Sequence, residues 1–465
     1  MRRLTGTSKV SLTEYIIDPQ NQREGWHTLT IGDSGRIVHC RPTESVGVPN
    51  YCVVPAGVDM HSHVVSEGIH AARVVSGDGL VPALRDLPAL YHRIGYTTVV
   101  DAAVSPEEVG LVRQWIGALP TLNVGFLVVA GDHPTVAEPI RRRSVAGVRD
   151  ALRELLAASG AWGIKVVNPS AAGRTPLANL HDPGPLGVSP AEHIRLLAEA
   201  IDQMNIAHPM HIHGLDLGIP GNIATTMAML QAIEGIPVHL AHAQFHVYRE
   251  VDGQIRSGAE ELADWVNTHP EVSLDLGQVI FGPTVTVSAD LYLQARLRAT
   301  HGGRWGVWRG SSGGIAAVPY RYRRANLTNA IQWAVGLELA LLVSNPWQVF
   351  ISVDHPNGGS FRSYPAIIQW LTSAESRLAV VEQLPKKVQQ ILDLPHMTRE
   401  YTDREIVVSS SAGPARRLGL VSNGHLGEAA EADAAAYALY NGHVDWSQPQ
   451  WVIKNGQRVW TANEP

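Results

Sequence analysis

Cysteine is nearly absent from this chain: Cys40 and Cys52 are the only two in 465 residues. That excludes a disulfide framework, a cysteine-rich zinc site and a four-cysteine iron–sulfur cluster within the chain. Long apolar runs are missing too. The longest, near 124–130 and 334–343, are too short for a bilayer or carry Glu338, so no membrane span is expected. The start, Met1 to Lys9, is basic but has no apolar run behind it. No secretory leader is therefore expected, and the cytoplasm is the expected location. There is no surplus of positive charge either. A net charge of -6 and a pI near 6.4 argue against a broad nucleic-acid or anionic-membrane surface. Lysine is scarce, supplying only five of the 37 basic residues.

What is present is an ordinary globular composition, 45% hydrophobic and 17% charged. From Val53 onward, short apolar runs alternate with amphipathic stretches, the pattern of a parallel sheet with crossover helices. Eight runs read as strands: Val53–Met60, Thr97–Ala102, Asn123–Gly131, Gly163–Asn168, Pro209–Gly214, Pro237–Gln244, Glu271–Val279 and Gln348–Asp354. Ser105-Pro-Glu-Glu and Ser189-Pro-Ala-Glu open helices with a cap, a proline and first-turn acid. Such a series is expected to close as a (β/α)8 TIM barrel over 53–414.

The termini read differently. Residues 1–52 hold a hairpin turning at Asp33-Ser34-Gly35, and residues 415–465 hold one turning at Asn455-Gly456. They are expected to pair as one small β-sandwich domain. Between strands seven and eight lies an insertion, 280–347, with Trp305, Trp308, a glycine-rich patch Gly310–Gly314 and a closing helix near Asn326–Val343. An insertion of that length is more often functional than decorative.

The strand ends carry the chemistry. His61 and His63 follow strand one, and Lys165 lies in strand four. Strand five brings His211 and His213, strand six His239 and His242, and strand eight Asp354. Two histidines spaced i, i+2 along a strand point the same way and can share a metal. Each pair alone is ordinary; ligand-type residues at five of eight strand ends point to a metal site. Lys165 sits in the apolar run Trp162-Gly-Ile-Lys-Val-Val167, where a free ammonium is costly to bury. It is either neutral, carbamylated by CO2, or paired with a carboxylate such as Asp101 or Asp354.

Val54-Pro-Ala-Gly-Val-Asp-Met-His-Ser-His63, the strand-four lysine, two further histidines and Asp354-His-Pro resemble the amidohydrolase superfamily. Longer strings carry a narrower likeness: Gly95-Tyr-Thr-Thr-Val-Val-Asp101, Gly163-Ile-Lys-Val-Val-Asn-Pro169, His213-Gly-Leu-Asp-Leu-Gly-Ile-Pro-Gly-Asn222, His242-Ala-Gln-Phe-His246, Phe281-Gly-Pro-Thr-Val-Thr286 and Asp354-His-Pro-Asn-Gly-Gly359. These are similar to the A subunits of formylmethanofuran dehydrogenases and of the bacterial formyltransferase/hydrolase complexes. At 465 residues the chain is short for that group, so trimmed peripheral segments are expected.

The resemblance implies two Zn2+ ions held by His61, His63, N6-carboxylated Lys165, His213, His242 and Asp354, with Asp354 also the catalytic base. His213 is preferred to His211, and His242 to His239, by the family motif. His211, His239, His246 and His355 are then candidates to stand behind the ligands or face substrate, and Asn168, Asn222 and Asn357 to hold a substrate amide. The implied reaction is hydrolysis, or reverse formation, of the N-formyl amide of a formyl-methanofuran or methylofuran carrier, within a multisubunit complex of one-carbon metabolism. The alternatives are a cyclic amidase of hydantoinase or dihydroorotase type and a non-catalytic scaffold protein of the same complex.

Overall fold

The computed structural model of the chain describes residues 10–45, 47–77, 79–170, 175–288, 306–308 and 315–462. Eight parallel strands run in chain order around one curled sheet. They are β1 (Gly57–Ser62), β2 (Tyr96–Val104), β3 (Asn123–Val129), β4 (Gly163–Val167), β5 (Met210–His213), β6 (Val238–Leu240), β7 (Val272–Asp275) and β8 (Val349–Phe350). The two edges meet through a parallel bridge between Ser62 and His355, and the His63 N–H donates to the His355 carbonyl at 2.7 Å. The curled sheet is thereby joined edge to edge as a barrel. Its strands are Val- and Ile-rich and buried on both faces, as a parallel sheet under helices requires.

The helices start where the sequence marks them. Ser105 and Glu108 form a reciprocal cap ahead of Val109–Gly117, and Ser189 Oγ accepts from Glu192 N at 3.2 Å ahead of Pro190–Asp202. Below the strands the barrel is filled by Val58, Met60, Val100, Leu127 and Phe350, which pack on Ala415 and Leu418. The last two come from the short helix Gly413–Leu418, which plugs the floor.

Both termini enter one seven-stranded sheet beside the barrel. In spatial order its strands are Gln457–Thr461, His443–Lys454, Ala434–Tyr440, Tyr51–Pro55, Val10–Asp18, Arg23–Ile31 and Ile37–Pro42. Two details differ from the sequence reading. The single strand expected over Val53–Met60 is two, because Tyr51–Pro55 pairs with Val10–Asp18 and Ala434–Tyr440 while Gly57–Ser62 turns into the barrel. The eighth strand is regular only over Val349–Phe350. Beyond it the Ile351 N–H donates to Ser409 O, and Asp354 adopts a left-handed φ of 49° that ends any ladder.

The insertion contributes an antiparallel sheet of Gly282–Ser288, Ile315–Tyr322 and Gly306–Trp308, with Ile315–Tyr322 in the middle. Val285, Val287 and Ala317 pack on Ile69 and Ala72 of the helix Glu67–Ser76, holding this sheet over the strand ends. The closing helix, Leu327–Leu342, is buried on nearly every side and capped by Asn326 Oδ1 accepting from Asn329 N at 3.0 Å. Trp305 and the patch Gly310–Gly314 lie outside the described residues.

Candidate metal centre

Three side-chain atoms converge at the top of β1 and β8. Asp354 Oδ1 lies 3.4 Å from His61 Nε2 and 3.1 Å from His63 Nε2, with all three side chains buried. Lys165, His213 and His242 line the same cavity. The His242 ring sits 4.6 Å from His213 and 5.1 Å from His61 between centroids. Lys165 Nζ, His213 Nε2 and His242 Nδ1 are buried with no hydrogen-bond partner. Buried polar atoms are almost always partnered, so three orphans at one cavity floor mark the place of a ligand. Imidazoles and a carboxylate so close together are a group that could hold a metal ion.

Electrostatics fit that role. Burial lowers the Lys165 ammonium to about 8, against the pull of Asp275 and Asp354, leaving a sizeable neutral fraction in mild base. Burial, then neighbouring cationic groups, holds His213 and His242 well below the ordinary histidine value, so both rings keep free lone pairs. His63 behaves differently: burial alone would lower it, but hydrogen bonds to Asp101 and Asp354 raise it to about 9. Its Nδ1 lies 3.6 Å from Asp101 Oδ1. Burial would raise Asp101, yet His63 and the N–H groups of Val64, Val65 and Ser66, each 2.8 Å from Oδ2, hold it below the usual carboxylate range.

Local backbone geometry aims these groups. Val238 and Leu240 of β6 belong to the core that packs on the helices, while His239 stacks on Phe350 inside the barrel. Strict alternation would therefore send residue 242 outward. His242 instead takes φ 35°, ψ 54°, which swings its ring to the site and starts the turn Ala243–His246. Gly277 permits the approach, since a Cβ there would stand 2.4 Å from His242 Cβ.

A second tier lies beneath. Asp275 Oδ2 is 2.8 Å from His61 Nδ1 and 3.1 Å from His239 Nε2, and Asp275 Oδ1 accepts from Ser352 Oγ. His211 Nε2 is 3.2 Å from the same His61 Nδ1, and His211 Nδ1 is 3.1 Å from His208 Nε2. Burial raises the carboxyl of Asp275, but His61 and His239 outweigh it and hold it far below the usual carboxylate range. His61, His211 and Asp275 are close enough to hold a cation themselves, although every one of these atoms already has a partner.

The cavity above the centre is about 240 Å³. Val129, Leu217 and Phe245 form walls, and Thr286, Val287, Tyr320 and Tyr322 of the insertion form the roof. Asn357 ties roof to floor. Its Nδ2 donates to both carboxylate oxygens of Asp354 at 3.0 Å, and its Oδ1 accepts from Val287 N at 2.6 Å. The Tyr322 hydroxyl donates to the Asn357 carbonyl at 3.1 Å.

The structure brings the six expected ligands to one floor and separates the remaining sites by task. Asn357 lines the cavity, but its amide is committed to Asp354. Asn222 has no capacity left for a substrate: it donates to Asp216 O and Phe245 O and accepts from Tyr248 N. His355 is committed to barrel closure and to Gly359 O at 3.1 Å. Asn168, with φ 40°, and His246 are buried and do not line the cavity; His246 stacks at 5.3 Å behind His242. Asp275 escaped the sequence reading, although Leu274-Asp275-Leu276 places a charge inside an apolar run just as Lys165 does.

Comparison with known proteins agrees with this fold. The amidohydrolase family model matches residues 125–460. The A component of the formyltransferase/hydrolase complex Fhc of Methylorubrum extorquens is 33% identical, over 96% of this chain and 86% of that protein. The FwdA protein of Methanocaldococcus jannaschii is 30% identical, over 96% of this chain and 88% of that protein. The crystal structure of the FhcABCD complex of M. extorquens with methylofuran contains a chain that matches with a TM-score of 0.88 at 32% identity, covering 97% of this chain and 88% of that one. The chain belongs to the amidohydrolase family, related over most of its length to FwdA and to the A component of Fhc.

Proposed function

We propose that the chain hydrolyses, or in reverse forms, the N-formyl amide of a formylated furfurylamine-type carrier related to methylofuran, giving formate and the free amine. The observation that carries this reading is the set of buried orphan atoms on Lys165, His213 and His242 beside the His61–His63–Asp354 cluster, at the floor of a cavity. The relative whose complex contains methylofuran supports the substrate class. Its membership of a four-protein complex supports partner proteins for this chain as well.

His61, His63, Lys165, His213, His242 and Asp354 would hold two zinc ions. Bound there, the metals supply Lewis acidity toward the formyl oxygen and lower the pKa of water. The neutral Lys165 amine would add to CO2 and release a proton, and the resulting N6-carboxylate would serve as an anionic metal ligand. Asp354 acts as the base. Its Oδ1 faces His61 and His63, which leaves Oδ2 to take a proton from the attacking water as the new C–O bond forms. The same proton then passes to the amine nitrogen as the C–N bond breaks. Asn357, gripping both oxygens of Asp354, keeps that carboxylate in one rotamer through both transfers. The partly apolar walls of Val129, Leu217 and Phe245 lower the local polarity, so charge developing on the formyl oxygen would be stabilised by fixed groups.

The test is formate release from a formylated furfurylamine carrier, with native chain and Asp354→Asn compared. The account expects release by the native chain and a loss of at least about a hundredfold in the variant. Equal rates overturn the assigned base.

A further inference from the structure

We infer that a line of hydrogen-bonded histidines beneath the centre holds a proton on Nδ1 of His61, and so leaves Nε2 as its metal-binding nitrogen. The inference rests on His61 being a ligand, as proposed above.

The line starts at the floor plug. The Arg417 carbonyl can only accept, so His208 Nδ1, 3.1 Å away, must donate. A neutral His208 ring then offers Nε2 as an acceptor, and the atom facing it at 3.1 Å, His211 Nδ1, must carry a proton. That leaves His211 Nε2 as a lone pair aimed at His61 Nδ1, 3.2 Å away. His61 Nδ1 must therefore be the protonated nitrogen. The other end of the network gives the same answer independently. Asp275 Oδ2 is an acceptor, it lies 2.8 Å from the same His61 Nδ1, and it again requires a proton there. Reversing His211 or His61 would set two lone pairs or two N–H groups face to face within this line; His61 Nε2, on the other side of the ring, faces Asp354 Oδ1 at 3.4 Å.

The remaining contacts are consistent with one solution. His239 donates from Nε2 to Asp275 at 3.1 Å and accepts at Nδ1 from Ser273 Oγ at 2.9 Å, while Ser352 Oγ donates to the second oxygen of Asp275. All four histidines and Asp275 are at most 1% exposed, so water does not compete for these positions. Arg417 itself is fixed, because its guanidinium donates to Val238 O and Glu271 O at 2.7 Å each, at the starts of β6 and β7. The backbone at the bottom of the barrel thus sets a proton position near its top.

His211 and Asp275 are accordingly positioning residues. They share the His61 Nδ1–H and aim the ring, which leaves Nε2 as the nitrogen that meets the cation. This also explains why the pair His211–His213 divides its tasks: the His211 lone pair is committed to His61, and that of His213 Nε2 has no partner.

The experiment uses the full chain, stripped of metal and labelled with 15N-histidine, together with zinc titration against a competing chelator. Two-bond nitrogen–proton correlations of native His61 are expected to show a proton on Nδ1 both before and after zinc is added, whereas Nε2, which faces Asp354 Oδ1 at 3.4 Å, carries none once zinc is bound. Asp275→Asn presents an N–H to His61 Nδ1 and is expected to weaken zinc affinity about 10- to 100-fold. His211→Phe keeps an aromatic ring, removes the second acceptor, and is expected to fall at the weak end of that range. Circular dichroism identifies a variant that fails to fold, and the native spectrum then decides. A His61 Nδ1 that carries no proton, or unchanged zinc affinity in both folded variants, overturns the inference. Neither readout involves a formyl substrate, so an error in the substrate does not affect them; a native chain that binds no zinc overturns this inference and the metal centre together.

Discussion

The upper and lower tiers of the barrel interior are built from the same residue types yet end in opposite states. In the upper tier, Lys165, His213 and His242 present buried atoms with no partner. In the lower tier, His208, His211, His239 and Asp275 are partnered throughout. A buried polar atom left unpaired costs about 1–3 kcal/mol. Three such atoms line one cavity, whereas the four side chains below them are paired; His246, whose ring nitrogens are unpartnered too, stands behind His242 and off the cavity. The lesson is that histidine count does not identify candidate ligands; unmet hydrogen-bonding capacity combined with a place on the cavity does.

The largest expected break in that contrast is at Asp354. Asp354→Asn keeps shape and removes the base, and formate release should fall by about 10²–10⁴. Next comes Lys165→Met, which cannot take up CO2: metal analysis should show the variant losing about one of two ions per chain, and native mass spectrometry should show the added CO2 on the native chain alone. Asn357→Ala leaves the ligands intact but frees the Asp354 rotamer. Here kcat should fall by up to about a hundredfold with KM nearly unchanged and the same metal content. Were KM to rise instead with kcat kept, Asn357 would be touching substrate rather than Asp354. The smallest catalytic effect is expected at Asn222→Ala, which lowers stability by about 1–3 kcal/mol in denaturant titration because three backbone groups lose a partner. Its KM should stay at the native value.

The sequence made the upper tier readable for a local reason. His61 and His63 are two residues apart, Lys165 interrupts an apolar run, and Asp354 ends one. Each signal lies within a few residues. The lower tier depends on distance along the chain: His61 meets Asp275 across 214 residues and His211 across 150. No local pattern announces such a pairing, so the sequence leaves His211 open between standing behind the ligands and facing substrate, and Asp275 reads as part of an apolar strand. His242 was favoured over His239 only through family likeness, since simple alternation cannot anticipate a left-handed kink. Asn222 and Asn357 look alike at strand ends, and only their neighbours separate a residue that braces backbone from one that grips the base. The hairpins at Asp33–Gly35 and Asn455–Gly456 were legible because turn chemistry is local. The break at Ala56, between the terminal sheet and the barrel, was not, because both flanking strands are apolar and only pairing tells them apart.

The most direct test of the central claim is the metal content of the purified native chain, read beside that of Lys165→Met. The account predicts two divalent ions per native chain and a clear deficit in the variant. Less than one ion per native chain, with Lys165 unmodified, would contradict it.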